Sequence, residues 1–267
     1  MILTDRFVLL NYPRTGSTFV REALRTIYGQ NGGRLTQLVQ GLRPGRPRLQ
    51  ELLLPIDRTT SALLDKRKSQ HGAYSQIPAS HRGLPVLSVT RHPLDRVISQ
   101  YEHGFWRDHP LGELKQLKQL LPTFPDLTFS DYLKLQATFG FEAVRQDADV
   151  KAIVGACTLH FIRFFFPDPD AALARLTDES IDNGEFLRGM PEIHFLRTEE
   201  LVAGLRTFLH SVGFDREETA FLVDKPRVNP ALSRGDRTWS DYFSPSEASQ
   251  YRQRNRLLFQ MFSEYDD

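Results

Sequence analysis

Three segments of the chain share one pattern, in which a short apolar run is followed by a turn and then by apolar residues at helical spacing. The strand-like runs and the helical stretches after them are, in order, 7–10 and 20–28, 86–90 and 94–101, and 193–196 and 201–209. Apolar residues three and four apart indicate one buried helix face, and short apolar runs bounded by turns indicate buried strands. Because strands that alternate with helices form parallel sheets, the pattern predicts an α/β fold with a central, mostly parallel sheet flanked by helices.

The stretches between these segments carry weaker patterns. Residues 30–85 include a proline- and arginine-rich part, and residues 104–190 have a mainly helical pattern. Near the C-terminus, S-P-S-E at 244–247 predicts a capping box with proline at the first helical position. Because no repeat or linker interrupts the sequence, we predict a single domain over 1–267 with a mainly helical insertion around 104–190.

The overall charge is close to neutral, since 34 Lys and Arg face 33 Asp and Glu in 267 residues. This balance gives no reason to expect nucleic acid or an anionic membrane as a partner. Arginine nevertheless supplies 27 of the 34 cationic residues, and its planar guanidinium is suited to binding phosphate or sulfate. The positions of the arginines therefore matter more than their number.

The cysteine content and the first residues favour a cytoplasmic protein. Cys157 is the only cysteine, which excludes an internal disulfide. The apolar run at 7–10 is too short for a signal peptide or a membrane span. We therefore expect a cytoplasmic protein, complete at its N-terminus and without a membrane span. The sequence has no recognisable set of spaced His, Asp and Glu residues, so we expect no metal.

The turn after the first strand has the composition of an anion-binding loop, P-R-T-G-S-T at 13–18, followed directly by a helix. Backbone N–H groups at a helix N-terminus point toward a bound phosphate or sulfate, and Gly16 permits its close approach. Arg14 adds positive charge, and the hydroxyl groups of Ser17 and Thr18 add donors. The loop is not a Walker A motif, because Ser17 stands where that motif has lysine. An ordinary capped helix start is the alternative interpretation.

The second strand–helix turn repeats this arrangement, with Arg91 at the strand end and Ser99 two turns into the helix. The carboxyl ends of parallel strands meet at one edge of an open α/β sheet, where ligands bind. Two such turns therefore predict a ligand with two separate anionic groups.

Both turns resemble motifs of the sulfotransferases that use 3′-phosphoadenosine 5′-phosphosulfate (PAPS). Y-P-R-T-G-S-T-F at 12–19 resembles their 5′-phosphosulfate loop, usually Y-P-K-S-G-T-T-W, and V-T-R-H-P-L-D-R-V-I-S-Q-Y at 89–101 resembles their 3′-phosphate motif. S-R-G-D and W-S-D-Y-F within 233–243 resemble the family's R-K-G and W-K-N-Y-F segment, and F-L-R-T-E-E-L at 195–201 resembles its Y-E-D-L junction. Residues 104–190 match no motif that we can name.

The resemblance implies a P-loop-like sulfotransferase fold, similar to that of nucleotide kinases, and transfer of a sulfuryl group from PAPS to an acceptor hydroxyl or amine. The second product is adenosine 3′,5′-bisphosphate (PAP), and no metal is needed. The residues implied to bind the nucleotide are Arg14, Thr15, Gly16, Ser17, Thr18, Phe19, Arg91, Ser99, Thr198, Arg234 and Gly235.

Three of these residues have more specific expectations. Arg14 replaces the family's usual lysine and is expected to stabilise the leaving phosphate without donating a proton to it. Ser99 is expected to bind the 3′-phosphate and to communicate its occupancy to Arg14. Phe19 stands in the place of the family's tryptophan, so it stacks on adenine or is a core aromatic.

His71 is the candidate general base. An imidazole with a pKa near 6.5 can accept a hydroxyl proton at neutral pH. His71 precedes Arg91 by 20 positions, close to where sulfotransferases place their catalytic histidine, and the His-Gly pair ahead of the second motif resembles carbohydrate 2-O-sulfotransferases. His81 and His103 are fallback candidates, and Glu51 is a further one because some members use a carboxylate.

The acceptor stays open between a small molecule, a glycan and a lipid. Basic residues at 43–48 and 66–68 suit an acidic glycan, and aromatic residues at 105–106 and 161–166 suit a phenol or lipid. Solvated faces and core packing are the ordinary roles of such residues. Two other functions also remain open. One is a P-loop-type nucleotide kinase or NTPase, which the missing Gly-Lys-Ser/Thr disfavours, and the other is a non-catalytic nucleotide- or anion-binding module.

Overall fold

The computed structural model describes residues 1–29, 49–55, 68–110, 112–139, 152–226 and 235–266. The strands are β1 Ile2–Thr4, β2 Val8–Leu10, β3 Leu49–Glu51, β4 Leu54–Pro55, β5 Lys68–Ser69, β6 Val86–Thr90 and β7 His194–Arg197. The helices are α1 Ser17–Ile27, α2 Pro93–His103, α3 Phe105–Asp108, α4 Leu114–Leu120, α5 Phe129–Phe139, α6 Ala156–Phe165, α7 Pro169–Ala174, α8 Asp178–Asp182, α9 Leu201–Ser211, α10 Arg216–Thr219, α11 Pro245–Arg254 and α12 Arg256–Met261.

The described residues fall into two compact units. The first unit consists of 1–29, 49–55, 68–91 and 192–226, and the second of 92–110, 112–139, 152–191 and 235–266. The first unit contains all seven described strands together with α1, α9 and α10, whereas the second unit is helical. A single domain over 1–267 stays a prediction. Among the described helices, none combines the length and the apolar character that a membrane crossing requires.

The main sheet has the strand order β3-β1-β2-β6-β7. Within this sheet, β2 pairs parallel with β6, where Leu9 lies opposite Leu87. β6 in turn pairs parallel with β7, where Val89 lies opposite Leu196. These are the three strands predicted from the apolar runs, so the predicted α/β fold is confirmed. β1 pairs antiparallel with both β2 and β3. The sequence pattern did not indicate these two strands, because each has three residues and β3 carries a polar sequence.

Helices α1 and α9 contribute to the same hydrophobic core as the sheet. α1 buries Val20, Ala23 and Leu24 at the predicted helical spacing, and α9 buries Leu205, Phe208 and Leu209. The ring of Phe208 packs edge-on against Phe7, with 5.1 Å between ring centroids. Each fully buried apolar side chain of this size stabilises the fold by about 1.5–3 kcal/mol. This packing holds the N-terminus of α1 firmly at the end of β2.

The second unit confirms two further sequence predictions. Phe161, Phe164, Phe165 and Phe166 are at most 5% exposed, so this cluster is core rather than an open acceptor surface. At the start of α11, the Ser244 side chain accepts from the Glu247 backbone N–H, and the Glu247 carboxylate accepts from the Ser244 N–H at 2.9 Å. The predicted capping box is therefore present.

Candidate active site

The loop between β2 and α1 has an unusual backbone conformation. Arg14 has φ = 66° and Gly16 has φ = 89°, and Arg14 is the single non-glycine residue with positive φ among the described residues. The left-handed region costs a residue with a Cβ atom about 1–2 kcal/mol. Strain of this kind is concentrated at functional sites. Left-handed residues within such a turn direct successive backbone N–H groups into one concavity, which suits an anion.

Two hydroxyl groups close the loop on itself. The Thr15 Oγ1 donates to the Tyr12 carbonyl at 2.8 Å, and the Ser17 Oγ donates to the same carbonyl at 3.3 Å. Both side chains are buried. The protons of these two hydroxyl groups are thus used to shape the loop and are not available to an anion.

The N-terminus of α1 has no side-chain cap among the described residues. Gly16 occupies the N-cap position without a side-chain hydrogen bond, and the first turn has no acidic residue. By contrast, α11 closes its N-terminus with the Ser244 and Glu247 side chains. An uncapped helix start inside an anion-shaped loop is suited to a phosphate or sulfate group.

His71 is hydrogen-bonded to the start of this loop. Its Nδ1 lies 2.6 Å from the backbone carbonyl oxygen of Asn11. A carbonyl oxygen only accepts, so Nδ1 carries the proton of the neutral ring and Nε2 keeps its lone pair. The Asn11 side-chain Nδ2 also donates to the Gln70 carbonyl at 3.1 Å. The sequence prediction of His71 did not include Asn11, whose position directly after a buried strand was the only available signal.

The surroundings of His71 keep its imidazole neutral. Burial lowers the pKa of His71, and the hydrogen bond with Asn11 acts in the opposite direction. The positive charges of the Met1 amino group, Arg21 and Arg14 also lower this pKa. At neutral pH the ring is therefore a proton acceptor.

Glu51 is engaged by two arginines of α1. Its carboxylate forms ion pairs with Arg21 at 2.9 Å and with Arg25. Burial alone would raise the pKa of Glu51, but the hydrogen bonds from Arg25 and Arg21 outweigh it and lower the pKa. A carboxylate that two guanidinium groups hold in its ionised form is a weak proton acceptor. The contacts of Glu51 are those of a counter-ion to Arg21 and Arg25.

Thr198 connects the anion loop to the neighbouring strand. Its Oγ1 lies 2.6 Å from the Thr15 carbonyl oxygen and 2.7 Å from the Thr90 carbonyl oxygen. The hydroxyl has one proton, which it donates to one of these carbonyls at a time. Arg91 follows Thr90 directly, so both predicted anion-binding turns begin at the same edge of the sheet.

The other predicted site residues have different surroundings. Phe19 is 6% exposed and belongs to the core, with the Lys225 Nζ 5.5 Å from its ring centroid, which corresponds to the second of its two interpretations. Ser99 on α2 and Gly235 belong to the second unit. Arg234 and the basic residues at 43–48 and 66–67 lie outside the described residues.

Known proteins resemble the chain in structure rather than in sequence. No family model and no curated protein matches the chain. Among solved structures, mouse sulfotransferase SULT7A1 complexed with PAP is similar over 96% of this chain and 83% of that chain, with a TM-score of 0.45 and 15% sequence identity. Within the described part of the chain, no three His, Cys, Asp or Glu side chains gather into a metal-ligand set.

Proposed function

We propose that the protein is a sulfotransferase that transfers the sulfuryl group of PAPS to a hydroxyl or an amine of an acceptor, with His71 as the general base. The observation that carries the proposal is the link between an uncapped anion loop and an oriented, neutral histidine. Asn11, which holds the Nδ1 of His71, lies three residues before Arg14.

The anion loop fits the leaving group of this reaction. During transfer, the bond between sulfur and the 5′-phosphate oxygen of PAPS breaks, and negative charge develops on that oxygen. The backbone N–H groups of residues 15–18 and the Arg14 guanidinium stabilise this charge. Arg14 acts through its charge alone, because a guanidinium does not give up its proton near neutral pH.

His71 serves the other half of the reaction. The acceptor oxygen or nitrogen forms a bond to sulfur, and its proton passes to the Nε2 of His71. The resulting imidazolium returns the proton to water. A positioned base of this kind contributes about 10²–10⁴ to the rate. The lowered pKa of His71 supports this role, because the imidazole stays unprotonated at neutral pH.

Arg91 is assigned to the 3′-phosphate. Its place directly after Thr90, whose carbonyl contacts Thr198, supports a second anion site at the sheet edge where the loop begins. Ser99, Arg234 and Gly235 join this assignment through the motif resemblance. The acceptor class stays open between a small molecule, a glycan and a lipid, and the proposed location is the cytoplasm.

A thermal-shift titration separates this function from its alternatives. PAP at 100 times its dissociation constant is expected to stabilise the protein by about 2.7 kcal/mol, whereas stabilisation by ATP and Mg²⁺ alone would favour a kinase or NTPase. Incubation with ³⁵S-labelled PAPS and an acceptor panel then tests transfer. PAP binding without transfer to any acceptor would favour a non-catalytic module.

Two matched variants connect the titration to the loop. Arg14→Ala is expected to weaken PAP binding at least tenfold, whereas Arg82→Ala, which removes an exposed arginine from a turn before β6, is expected to leave it unchanged. Equal effects of the two changes would contradict a specific phosphate site at Arg14.

A further inference from the structure

We infer that Asn11 is a positioning residue that holds His71 in the tautomer needed for proton abstraction. The inference deepens the proposed function, since it assigns a role to a residue that neither motif includes. It rests on hydrogen bonds that Asn11 makes to two consecutive residues, Gln70 and His71.

Asn11 contacts the base-bearing segment at two points. Its backbone carbonyl accepts from the Nδ1 of His71 at 2.6 Å, and its side-chain Nδ2 donates to the Gln70 carbonyl at 3.1 Å. The Gln70 carbonyl also accepts from the Met1 nitrogen. Two bonds from one residue fix both the position and the rotation of the peptide that carries His71.

Strand pairing does not supply this connection. Among the described residues, β5 ends at Ser69 and pairs with β4 in a separate two-stranded sheet. The backbone ladder of the main sheet therefore does not reach His71. The hydrogen bonds of Asn11 are the direct link from the end of β2 to the imidazole.

The burial of Asn11 argues for a specific role of its amide. The residue is fully buried, and its Oδ1 has no hydrogen-bond partner among the described residues. An orphaned buried oxygen is unfavourable, and an apolar side chain of the same shape would avoid it. Packing alone therefore does not explain asparagine at this position, whereas the Nδ2 donor to Gln70 does.

The consequence for His71 concerns which ring nitrogen accepts the proton. A neutral imidazole carries its proton on either nitrogen, and the hydrogen bond made by one nitrogen determines the state of the other. With Nδ1 donating to Asn11, Nε2 is the acceptor. If the segment at 70–71 moves, Nδ1 loses its partner and part of the population carries the proton on Nε2, where it blocks abstraction.

The test compares Asn11→Leu with Ser88→Ala. Leucine has the same number of side-chain heavy atoms as asparagine but no donor. Ser88 is the matched control because it is also fully buried, and its hydroxyl donates to the Leu10 carbonyl, next to Asn11, rather than to the segment that carries His71. Histidine-specific ¹⁵N labelling with long-range ¹H–¹⁵N correlation reports the protonation of each ring nitrogen, and the His71 signals are assigned by their loss in His71→Gln.

In the wild type and in Ser88→Ala, we expect the His71 proton on Nδ1 at pH 7.5. In Asn11→Leu, we expect Nε2 to carry the proton in a measurable fraction of molecules. With a PAPS acceptor, kcat is expected to fall about ten- to a hundredfold, while PAP affinity changes less than twofold. If Asn11→Leu does not fold, Asn11→Ala removes the same donor without adding a branched side chain.

An unchanged His71 tautomer in the folded Asn11 variant would overturn the inference, as would a wild-type ring protonated on Nε2. The tautomer measurement does not depend on turnover. If no sulfuryl transfer is detected, the tautomer measurement still tests whether Asn11 positions His71. If the tautomer does not change in the Asn11 variant, the transfer assay still tests the proposed function.

Discussion

The Nδ1 of His71 and the backbone carbonyl oxygen of Asn11 lie 2.6 Å apart, although 60 positions separate the two residues in the sequence. This bond joins the candidate base to the loop that carries Arg14. It brings the two chemical requirements of group transfer, a proton acceptor and a site for a leaving anion, to the end of the same strand.

Removal of the imidazole is expected to abolish turnover and to preserve nucleotide binding. His71→Gln should lower kcat by about 10²–10⁴, because a general base contributes that much. PAP affinity in the thermal-shift assay should remain within twofold of the wild type. His81→Gln is the matched control, since His81 bonds to the adjacent Ser80. Loss of turnover in His81→Gln and not in His71→Gln would transfer the role to His81.

The lowered pKa of His71 predicts a pH-dependent difference in stability. The unfolded residue titrates near 6.5, and the folded residue titrates lower. Between these two values the unfolded chain binds more protons, so the free energy of unfolding rises with pH. The contribution of His71 is thus complete above pH 6.5 and is lost as pH falls through the folded pKa.

Urea unfolding at pH 7.5 and at pH 5.5 checks this expectation. Wild-type protein should lose more stability over this interval than His71→Gln, which lacks the titrating group. Titrating residues that do not interact with His71 contribute equally to both proteins and cancel in the difference. The buried Met1 amino group, whose pKa is lowered to about 5, does interact with His71, so its contribution changes with the substitution. Equal losses in the two proteins would show that the folded pKa of His71 is not depressed.

The left-handed conformation of Gly16 predicts that its substitution weakens PAP binding in addition to lowering stability. Gly16→Ala and Gly83→Ala both place a Cβ at positive φ, 89° and 94° respectively, and neither new Cβ meets an atom closer than 3.5 Å. Both variants should therefore lose about 1–2 kcal/mol of stability from backbone strain. Only Gly16→Ala should also weaken PAP binding, by several-fold in the thermal-shift titration. Equal PAP affinities in both variants would argue against an anion site at residues 15–18.

The hydroxyl of Thr198 is expected to hold the loop against β6. Thr198→Val keeps the shape of the side chain and removes the hydrogen bond, so it should lower stability by about 1 kcal/mol and weaken PAP binding. Thr198→Ser retains the hydroxyl and should restore most of both properties. The measurements are urea unfolding and PAP titration. A serine variant as impaired as the valine variant would indicate that the methyl group, and not the hydroxyl, matters.

The ion pairs of Glu51 predict a structural effect without loss of catalysis. Glu51→Gln leaves Arg21 and Arg25 with a neutral partner and should lower the free energy of unfolding by about 1–3 kcal/mol. Turnover should remain within a fewfold of the wild type. Since the pKa of Glu51 is lowered, its stabilising contribution is present above its usual value and is lost as pH falls through the folded pKa. A loss of turnover as large as that of His71→Gln would instead make Glu51 the base.

The strand–loop–helix segment that carries Arg14 could be predicted because its signals are local. The apolar run of β2 and the helical spacing of Val20 and Leu24 within α1 depend on the residues of each element alone. The same is true of the capping box at the start of α11, where Ser244 and Glu247 are three residues apart. Short-range periodicity is visible in a sequence without knowledge of the fold.

The added strands β1 and β3 could not be predicted in this way. β3 has the sequence Leu-Gln-Glu and only partly buried or exposed side chains, so its strand conformation comes from pairing with β1. The same limit applied to Phe19, whose place on a helix face fitted both a core position and a stacking position. Its burial within the packed core is visible only in the tertiary structure.

The amino-acid sequence by itself determined the α/β pattern, the two arginine-bearing turns and the choice of His71 as the candidate base. Only the tertiary structure decided the partners of these residues: the Asn11 carbonyl on His71, Glu51 between Arg21 and Arg25, and the Thr198 hydroxyl on Thr15, which is 183 positions away. The physical reason is that hydrogen bonds, burial and charge act over a few ångströms in space. The fold alone brings such distant positions within that range.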